Sequence, residues 1–465
     1  MSLSKTNYIL WRDCHKNAWL KIHKPDVYFA EPLSAFEQQI IETGNEVDLL
    51  ARQLFSTAEY QKKFEVDGYL AITDILSGEN LYEVKATNDI DKKTHYHDLA
   101  FQYLVLKRAG SNVKSANLIH LNPEYIREGE LELDKLFVIE NVTEKIEEMA
   151  EEVLAEMKLA KEYLEGDEEP KGPCDCLYRG RSAHCTTFHY SNPDIPAYSI
   201  HDIARIGQSK KKLIELVDGN KFNLEDVPES MELSESQKNQ IWTHLNDRTI
   251  VSRENIAEEL DALTFPLYFL DYETFPAAIP RFEGFSPYNQ IPFQYSLHVL
   301  KSPDIEPEHF DFLYTEAGDP SESFVRSLQE HIGPTGNIVV WHKDFECGRN
   351  EELATRITAS RTFFDNFKER VFDLETIFKK QHHVHKDYRG SSSIKKVLPV
   401  LVPSLKYDEL EIKEGGSAAE RWNELVTDSL SEEAKQNIIS NLKKYCELDT
   451  YAMYAIWKAL YSLIS

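Results

Sequence analysis

Apolar residues recur along this chain with two periods, and the switches between them mark out its elements. From Phe64 to Leu76 polar and apolar side chains alternate in a β-rich run, the pattern of a half-buried strand. Gly78-Glu-Asn80 predicts a turn, and Leu81-Tyr-Glu-Val-Lys-Ala-Thr87 returns as a second strand. Tyr268-Phe-Leu-Asp-Tyr-Glu-Thr274 reads as a strand, and Asn337-Ile-Val-Val-Trp-His-Lys-Asp-Phe-Glu346 as a buried strand ending in acids. Elsewhere the spacing is helical. Ile146, Met149, Val153, Leu154 and Met157 line one face between Val142 and Leu164, ahead of the turn-rich Gly166-Asp-Glu-Glu-Pro-Lys-Gly-Pro173. Ile438, Ile439, Leu442, Met453, Ile456 and Leu460 do the same between Ser431 and Leu463. Gly44–Ala51 reads as a helix, Asp98–Tyr103 opens another, and helical patches fall near Ile200–Val217 and Ser234–Leu245. Strands interleaved with helices predict an α/β protein.

Composition sets bounds on this picture. With 465 residues, 42% of them hydrophobic and 11% aromatic, the chain is long enough for two or three domains with a sizeable core. No apolar run approaches a membrane span, and Met-Ser-Leu-Ser-Lys-Thr-Asn at the start lacks a signal-peptide pattern, so a soluble, cytoplasmic protein is expected, with no membrane partner. The formal charge of −27 argues against a general nucleic-acid coat, because phosphate binding is driven by Lys and Arg. It leaves room for a local basic groove, for which Lys92, Lys93, Lys107, Arg108 and the run Lys210–Lys212 are available, each also readable as solvated surface.

The acids carry chemistry. Residues two apart on a strand share a face, so Asp271 and Glu273 project together, with Leu270 and Tyr272 on the other side. Paired carboxylates on a rigid strand begin a Mg2+ or Mn2+ site, since hard cations take oxygen ligands. Tyr445 and Asp449 are four apart on the late helix and share one of its faces. An acid pair on one strand, an acid after a second strand and Tyr-x-x-x-Asp on a late helix together resemble the DnaQ-like 3′–5′ exonucleases in their DEDDy arrangement, an RNase H-like fold. The resemblance implies that Asp271 and Glu273 form the first motif, Glu346 (rather than Asp344) the second, and Tyr445 with Asp449 the third. His342 stands where the second motif usually has Asn, and its acid is usually Asp. The implied reaction uses two ions roughly 4 Å apart to activate water and stabilise the leaving oxygen of a phosphodiester, with Tyr445 orienting the water. The wider stretch, including Ala277-Ala-Ile-Pro-Arg-Phe282, Ile291-Pro-Phe-Gln-Tyr295 and Gly390-Ser-Ser-Ser-Ile-Lys-Lys-Val-Leu-Pro399, resembles a bacterial DnaQ-like domain family without known function over roughly 263–465. Phe275, Phe282 and Tyr288 are placed either to stack bases or to fill the core.

A second signature lies in the first half. The hairpin presents Asp74 on one strand and Glu83 with Lys85 on one face of the next. Asp followed by Glu-x-Lys resembles the PD-(D/E)XK nuclease core, a restriction-endonuclease-like fold. By that resemblance Asp74 and Glu83 ligate a metal whose charge acidifies water, and Lys85 positions the water and stabilises the developing charge. Gln102 on the following helix matches the glutamine motif of RecB-like nucleases, and the resemblance implies that Glu46, on the Gly44–Ala51 helix, is the first-motif acid, although that family often has a His near there and none is present.

Of six cysteines, three crowd into Cys174-Asp-Cys-Leu-Tyr-Arg-Gly-Arg-Ser-Ala-His-Cys185, and Cys14 lies far upstream. In a cytoplasmic chain such clustering points to metal or cluster ligation rather than disulfides. One early Cys plus three after the nuclease core resembles the iron–sulfur RecB-like nucleases, including the CRISPR-associated exonuclease branch and the AddB-type domain. The implied cofactor is a 4Fe–4S cluster on Cys14, Cys174, Cys176 and Cys185. The Cys-x-Cys spacing departs from that family's usual Cys-x-x-Cys. Zn2+ is the alternative, since four cysteines also hold zinc and His15 or His184 could substitute. Cys347 and Cys446 adjoin the exonuclease motifs and read as core residues.

The expected organisation is therefore a RecB-like PD-(D/E)XK domain with a four-cysteine cluster over 1–192, a helical linker over 193–262, and a DnaQ-like domain over 263–465. The whole chain resembles bacterial fusions of these two nucleases, which implies metal-dependent hydrolysis of DNA, or RNA, in repair or defence. The alternative is that one nuclease fold is inactive and serves as a nucleic-acid-binding or docking module.

Overall fold

The computed structural model describes residues 1–30, 33, 35–407, 410–412, 414–427 and 429–464. The chain divides into two compact units. The first comprises Met1–His201, Gly207–Phe222 and Ala277–Asn289; the second comprises Asp202–Ile206, Asn223–Pro276 and Gln290–Ser465. The interval 193–262 thus contributes to both units, and 277–289 belongs to the first although the strands on either side of it belong to the second.

In the first unit β1 (Leu3–Ser4) leads into α1 (Lys5–Asp13), which Ser4 caps by accepting the Asn7 N–H at 3.2 Å. Then come α2 (His15–His23) and α3 (Ala35–Ala51). The alternating run from Phe64 to Leu76 is two strands rather than one: β2 (Glu59–Val66) turns at Asp67-Gly68 into β3 (Tyr69–Ser77). Both turn residues have positive φ, 51° and 78°, the conformation a two-residue hairpin needs and Asp-Gly readily adopts. β4 (Asn80–Lys85), α4 (His95–Arg108), β5 (Ser115–Leu121) and β6 (Phe137–Asn141) complete the core elements. The six-stranded sheet runs β1-β3-β4-β5-β6, with β2 also paired to β3. β3 is antiparallel to β2 and β4, β4 is parallel to β5, and β5 is antiparallel to β6. The single helix expected over Val142–Leu164 is broken at Met149 into α5 (Thr143–Glu148) and α6 (Ala150–Glu165). α4 is buried along most of its length rather than along one stripe, because β3 and α6 cover it from two sides; Phe101, Leu99 and Val105 pack there among Tyr8, Trp19, Ala71, Val153 and Met157. The helical patch expected over 200–217 is short turns followed by α7 (Lys210–Asp218).

The first α-helix of the second unit is α8 (Glu235–Asn246), opened by a capping box of Ser234 and Gln237. Its sheet is five-stranded, built from β7 (Leu267–Pro276), β8 (Gln290–Leu300), β9 (Glu308–Leu313), β10 (Asn337–Val340) and β11 (Val371–Asp373). The order is β9-β8-β7-β10-β11; β8 is antiparallel to both β9 and β7, and β10 and β11 add in parallel to β7. Parallel neighbours need crossovers, supplied here by α9 (Ser321–His331), then α10 (Lys343–Arg356) with α11 (Arg361–Glu369). The acids after β10 lie not at a strand end but in the first turn of α10. α12 (Ile394–Leu401), α13 (Gly415–Thr427) and the long α14 (Glu432–Ile464) follow, the last packed on β7 and β8. Tyr268, Leu270 and Tyr272 face one core with Tyr295, Phe324, Leu328 and Val340, while Phe269 meets Tyr454 and Trp457 of α14 on the other side. β7 is thus a central strand covered on both faces. Among the described residues no helix is long and apolar enough to cross a membrane.

Candidate active sites and metal centre

The first unit gathers its acids where β3 and β4 part. That ladder pairs Ser77 with Asn80, Leu76 with Leu81 and, last, Ile75 with Tyr82. Beyond them the Asp74 side chain takes over: Oδ2 accepts the Val84 N–H at 3.0 Å, and Oδ1 accepts from Gln61 Nε2 at 3.4 Å. Glu83 is buried and ringed by donors. Lys5 and Lys85 each reach its Oε1 at 2.7 Å, and Gln102 Nε2 donates to Oε2 at 2.6 Å. Lys85 also pairs with Asp98, to which Gln102 donates at 3.2 Å and which lies 3.3 Å from Lys5.

Electrostatics separates the carboxyls. Burial and the Glu83 charge push Asp74 up to about 8. Burial would raise Glu83 as well, but Lys5, Lys85 and Gln102 together outweigh it and hold that carboxyl well below the usual range. Asp98 is pushed up by burial and by Glu83.

Glu46 is not brought to this cluster. It lies exposed on α3, and the charge it influences is that of Arg281. Asp48, two residues on, faces the site. Its Oδ2 pairs with Arg52, its Oδ1 is buried without a hydrogen-bond partner, and burial raises its carboxyl, with the Glu83 charge adding to the rise. On a helix, residues two apart point about 200° apart, so one of the two acids must face away. Lys5, Asp48 and Asp98 are the site residues that sequence reading missed. The basic positions considered for a groove are partly committed elsewhere: Arg108 pairs with Asp67 at 2.8 Å and Lys107 with Glu147 at 3.9 Å.

In the second unit Asp271 and Glu273 leave β7 on the face that meets α14. Next to Glu273 the β7–β8 register slips, a bulge that re-aims side chains. Asp449 is buried and accepts from Tyr407 at 2.6 Å, and Tyr445 donates to it as well. Glu346 is buried with one carboxylate oxygen lacking any hydrogen-bond partner, whereas Asp344 is exposed. Asp271 feels Asp449, Glu273 and Glu346 together.

The shifts all run upward here. Burial and these neighbours raise Asp271 well above the usual range, burial and Asp449 do the same to Glu273, and burial takes Glu346 to about 8. Asp449 reaches only about 6, because Tyr407, Lys395 and Tyr445 oppose its burial. Lys395 sits 5.6 Å from the ring centres of both Tyr407 and Tyr445. Tyr407 and Lys395 were not singled out by the sequence. His342 caps α10, exposed, with Nδ1 3.5 Å from Glu375. Cys446 is a buried thiol against the Asp271 carbonyl, and Cys347 packs on the core. Phe275 is buried against Trp422; Phe282 packs on Phe285, and the Tyr288 hydroxyl donates to the Ala86 carbonyl at 2.6 Å.

The four distant cysteines meet in the first unit. Sγ atoms of Cys14, Cys174, Cys176 and Cys185 all lie within 4.8 Å of one another, with Cys185 3.8 Å from Cys14 and 3.9 Å from Cys174. None forms a disulfide. The surrounding thiols of Cys14, Cys176 and Cys185 pull Cys174 strongly toward thiolate, and Asn192 Nδ2 donates to it at 3.3 Å. His15 is held by Asp175 at 2.7 Å and His184 by the Arg179 carbonyl at 3.0 Å, so the four sulfurs themselves form the donor set. Lys16 to the Gly172 carbonyl at 2.7 Å and Arg179 to Asp13 at 2.7 Å close the loop onto α1 and α2.

Residues 268–393 match the family described as a domain of unknown function (DUF2779). The chain is also similar to uncharacterized proteins of Mycoplasma and Ureaplasma. It is 30% identical over 216 residues to protein MG366 of Mycoplasma genitalium, covering 42% of this chain and 32% of the relative. Its Mycoplasma pneumoniae homologue is 29% identical over 206 residues, 40% of this chain and 31% of the relative. Protein UU173 of Ureaplasma parvum is 23% identical over 283 residues, 56% and 40%. The chain thus spans about a third of the length of the first two relatives. No solved structure matches it.

Proposed function

We propose that this protein is a metal-dependent nuclease that hydrolyses phosphodiester bonds of DNA or RNA, with one site in each unit. The observation that carries this reading is the second-unit cluster: Asp271, Glu273, Glu346 and Asp449 arrive from three separate stretches and couple in one buried place. Carboxyls crowded in this way take up protons when no cation is present, and a divalent ion replaces those protons. The sheet order β9-β8-β7-β10-β11, with the acids on the central strand, supports the RNase H-like, DnaQ-like assignment of this unit. In the first unit a β-hairpin carrying Asp74 and Glu-x-Lys, followed by the Gln102 helix and a parallel strand, supports the PD-(D/E)XK assignment.

In the second unit the four acids would hold Mg2+ or Mn2+, and Tyr445, tethered to Asp449, would orient the water. Lys395, close to both phenols, would supply positive charge toward a substrate phosphate. In the first unit Asp48, Asp74 and Glu83 would be the ligands, with Gln102 fixing the Glu83 carboxylate and Lys85 positioned to stabilise charge on the phosphate. Divalent ions in these sites supply water activation and leaving-group stabilisation.

The four-thiolate centre suits a structural metal. A single tetrahedral zinc with bonds of about 2.3 Å sets its sulfurs about 3.8 Å apart. A 4Fe–4S cluster places a cube of iron and sulfide between its cysteines and so holds their sulfurs farther apart than one ion does. The observed spacing supports zinc over the iron–sulfur cluster.

The test follows end-labelled single- and double-stranded DNA and RNA with Mn2+, using wild type, Asp74→Ala, Asp271→Ala and the double variant. Activity lost only in the double variant is expected for two working sites. Loss in one single variant assigns the cutting to that unit and leaves the other as a binding module. The latter outcome has a physical basis at the first site, where Lys5 already neutralises Glu83. No hydrolysis by wild type on any substrate overturns the proposal.

A further inference from the structure

A second cluster in the second unit has no role in the chemistry above. His298 of β8 is buried, His309 of β9 lies beside it with ring centres 4.5 Å apart, and Glu447 of α14 completes the group. One ligand atom from each lies within 4.8 Å of the other two.

One ring nitrogen of each histidine is already hydrogen-bonded. Thr450 Oγ1 sits 3.1 Å from the Glu447 carbonyl, to which its hydroxyl donates. It also lies 2.8 Å from His298 Nδ1 and 2.7 Å from the Ser296 hydroxyl, which in turn lies 3.0 Å from His309 Nε2. The second ring nitrogen of each histidine, His298 Nε2 and His309 Nδ1, is the one that can serve a metal ion. His309 Nδ1 lies 3.9 Å from Glu447 Oε1, too far for a hydrogen bond and wide enough for an ion to bridge the two.

We infer that His298, His309 and Glu447 bind a zinc ion. Two imidazoles and a carboxylate suit zinc rather than magnesium, which prefers all-oxygen ligands. The Thr450–Ser296 chain would play the part that outer hydrogen bonds play at zinc sites, orienting each imidazole. Burial and His309 keep His298 neutral, with its pKa pushed down to about 3. The ion would join β8, β9 and α14. Glu447 lies between Tyr445 and Asp449 in sequence, so it would clamp the helix that carries both.

The test is zinc stoichiometry of the full chain, loaded with excess Zn2+ and passed through gel filtration. His309 and Glu447 are partly exposed, so His309→Ala and Glu447→Gln should fold. Each is expected to carry one zinc equivalent less than wild type, while His309→Cys, which keeps a zinc ligand, retains it. As a second readout, Zn2+ should protect His309 of wild type from diethylpyrocarbonate, and not in Glu447→Gln. Equal zinc in all four proteins, with His309 modified at the same rate with and without Zn2+, overturns the site. The outcome does not depend on nuclease activity.

Discussion

Tyr407 donates a 2.6 Å hydrogen bond to Asp449, and both side chains are buried. Forty-odd residues separate them in the chain, yet the phenol is one of the groups that keep Asp449 the most readily ionised acid of its cluster, at about 6. A hydrogen bond to a charged group contributes about 1.5–3 kcal/mol, and 1.4 kcal/mol is a factor of ten.

Removing that donor by Tyr407→Phe should therefore raise the Asp449 pKa and weaken metal binding at neutral pH. The expected result is about a tenfold loss of Mn2+-dependent hydrolysis by the second unit at pH 7, measured in an Asp74→Ala background, shrinking by pH 9. A deficit of the same size at both pH values would show that Tyr407 acts through packing instead.

At the first site, Asp48→Asn and Glu46→Gln separate the two acids of α3. Asp48 faces Glu83 while Glu46 is exposed. In an Asp271→Ala background, Asp48→Asn is expected to lose at least about tenfold in hydrolysis, and Glu46→Gln to stay within about twofold. The reverse pattern would return the role to Glu46.

The cysteine centre makes a prediction about metal content. Purified protein should be colourless and carry zinc on Cys14, Cys174, Cys176 and Cys185. Cys176→Ser should lose that equivalent and destabilise the first unit severely, because the binding energy of a structural zinc is folding energy. A brown protein with broad absorption near 400 nm and about four irons per chain would establish the iron–sulfur cluster instead.

Stability of metal-free protein should fall as pH rises. Asp74 and Glu346 have folded-state pKa values near 8, well above those of an unfolded chain. Between about pH 4 and pH 8 the folded state then binds more protons than the unfolded one, so each increment of pH costs stability. In EDTA the melting temperature should drop from pH 5 to pH 8, less steeply in Asp74→Asn, and Mn2+ should restore most at the alkaline end. A flat or rising profile in EDTA would mean that these carboxyls are ionised throughout.

Much of the molecule follows from local pattern. The period of the apolar residues places α14 within a residue of Ser431–Leu463, and the short runs Leu81–Thr87 and Tyr268–Thr274 give β4 and the central strand β7. Where the pattern was read too smoothly, the missed signals were short ones. Asp67-Gly68 splits one alternating run into a hairpin, and the stretch after Val340 changes from strand to helix within two residues.

What the sequence determined by itself is which residues can share a face, because that depends only on backbone repeat. Asp271 with Glu273 on a strand, and Tyr445 with Asp449 on a helix, needed nothing more. Which face turns inward is a different matter. Glu46 and Asp48, like Asp344 and Glu346, are pairs two apart on helices, so each pair splits between solvent and site, and only packing against the sheet chooses the member that enters. The same holds for Lys5, Tyr407 and Lys395, which reach their carboxylates from distant segments, and for residues 277–289, which join the first unit. Long-range contacts leave no local period, so tertiary structure alone decided them.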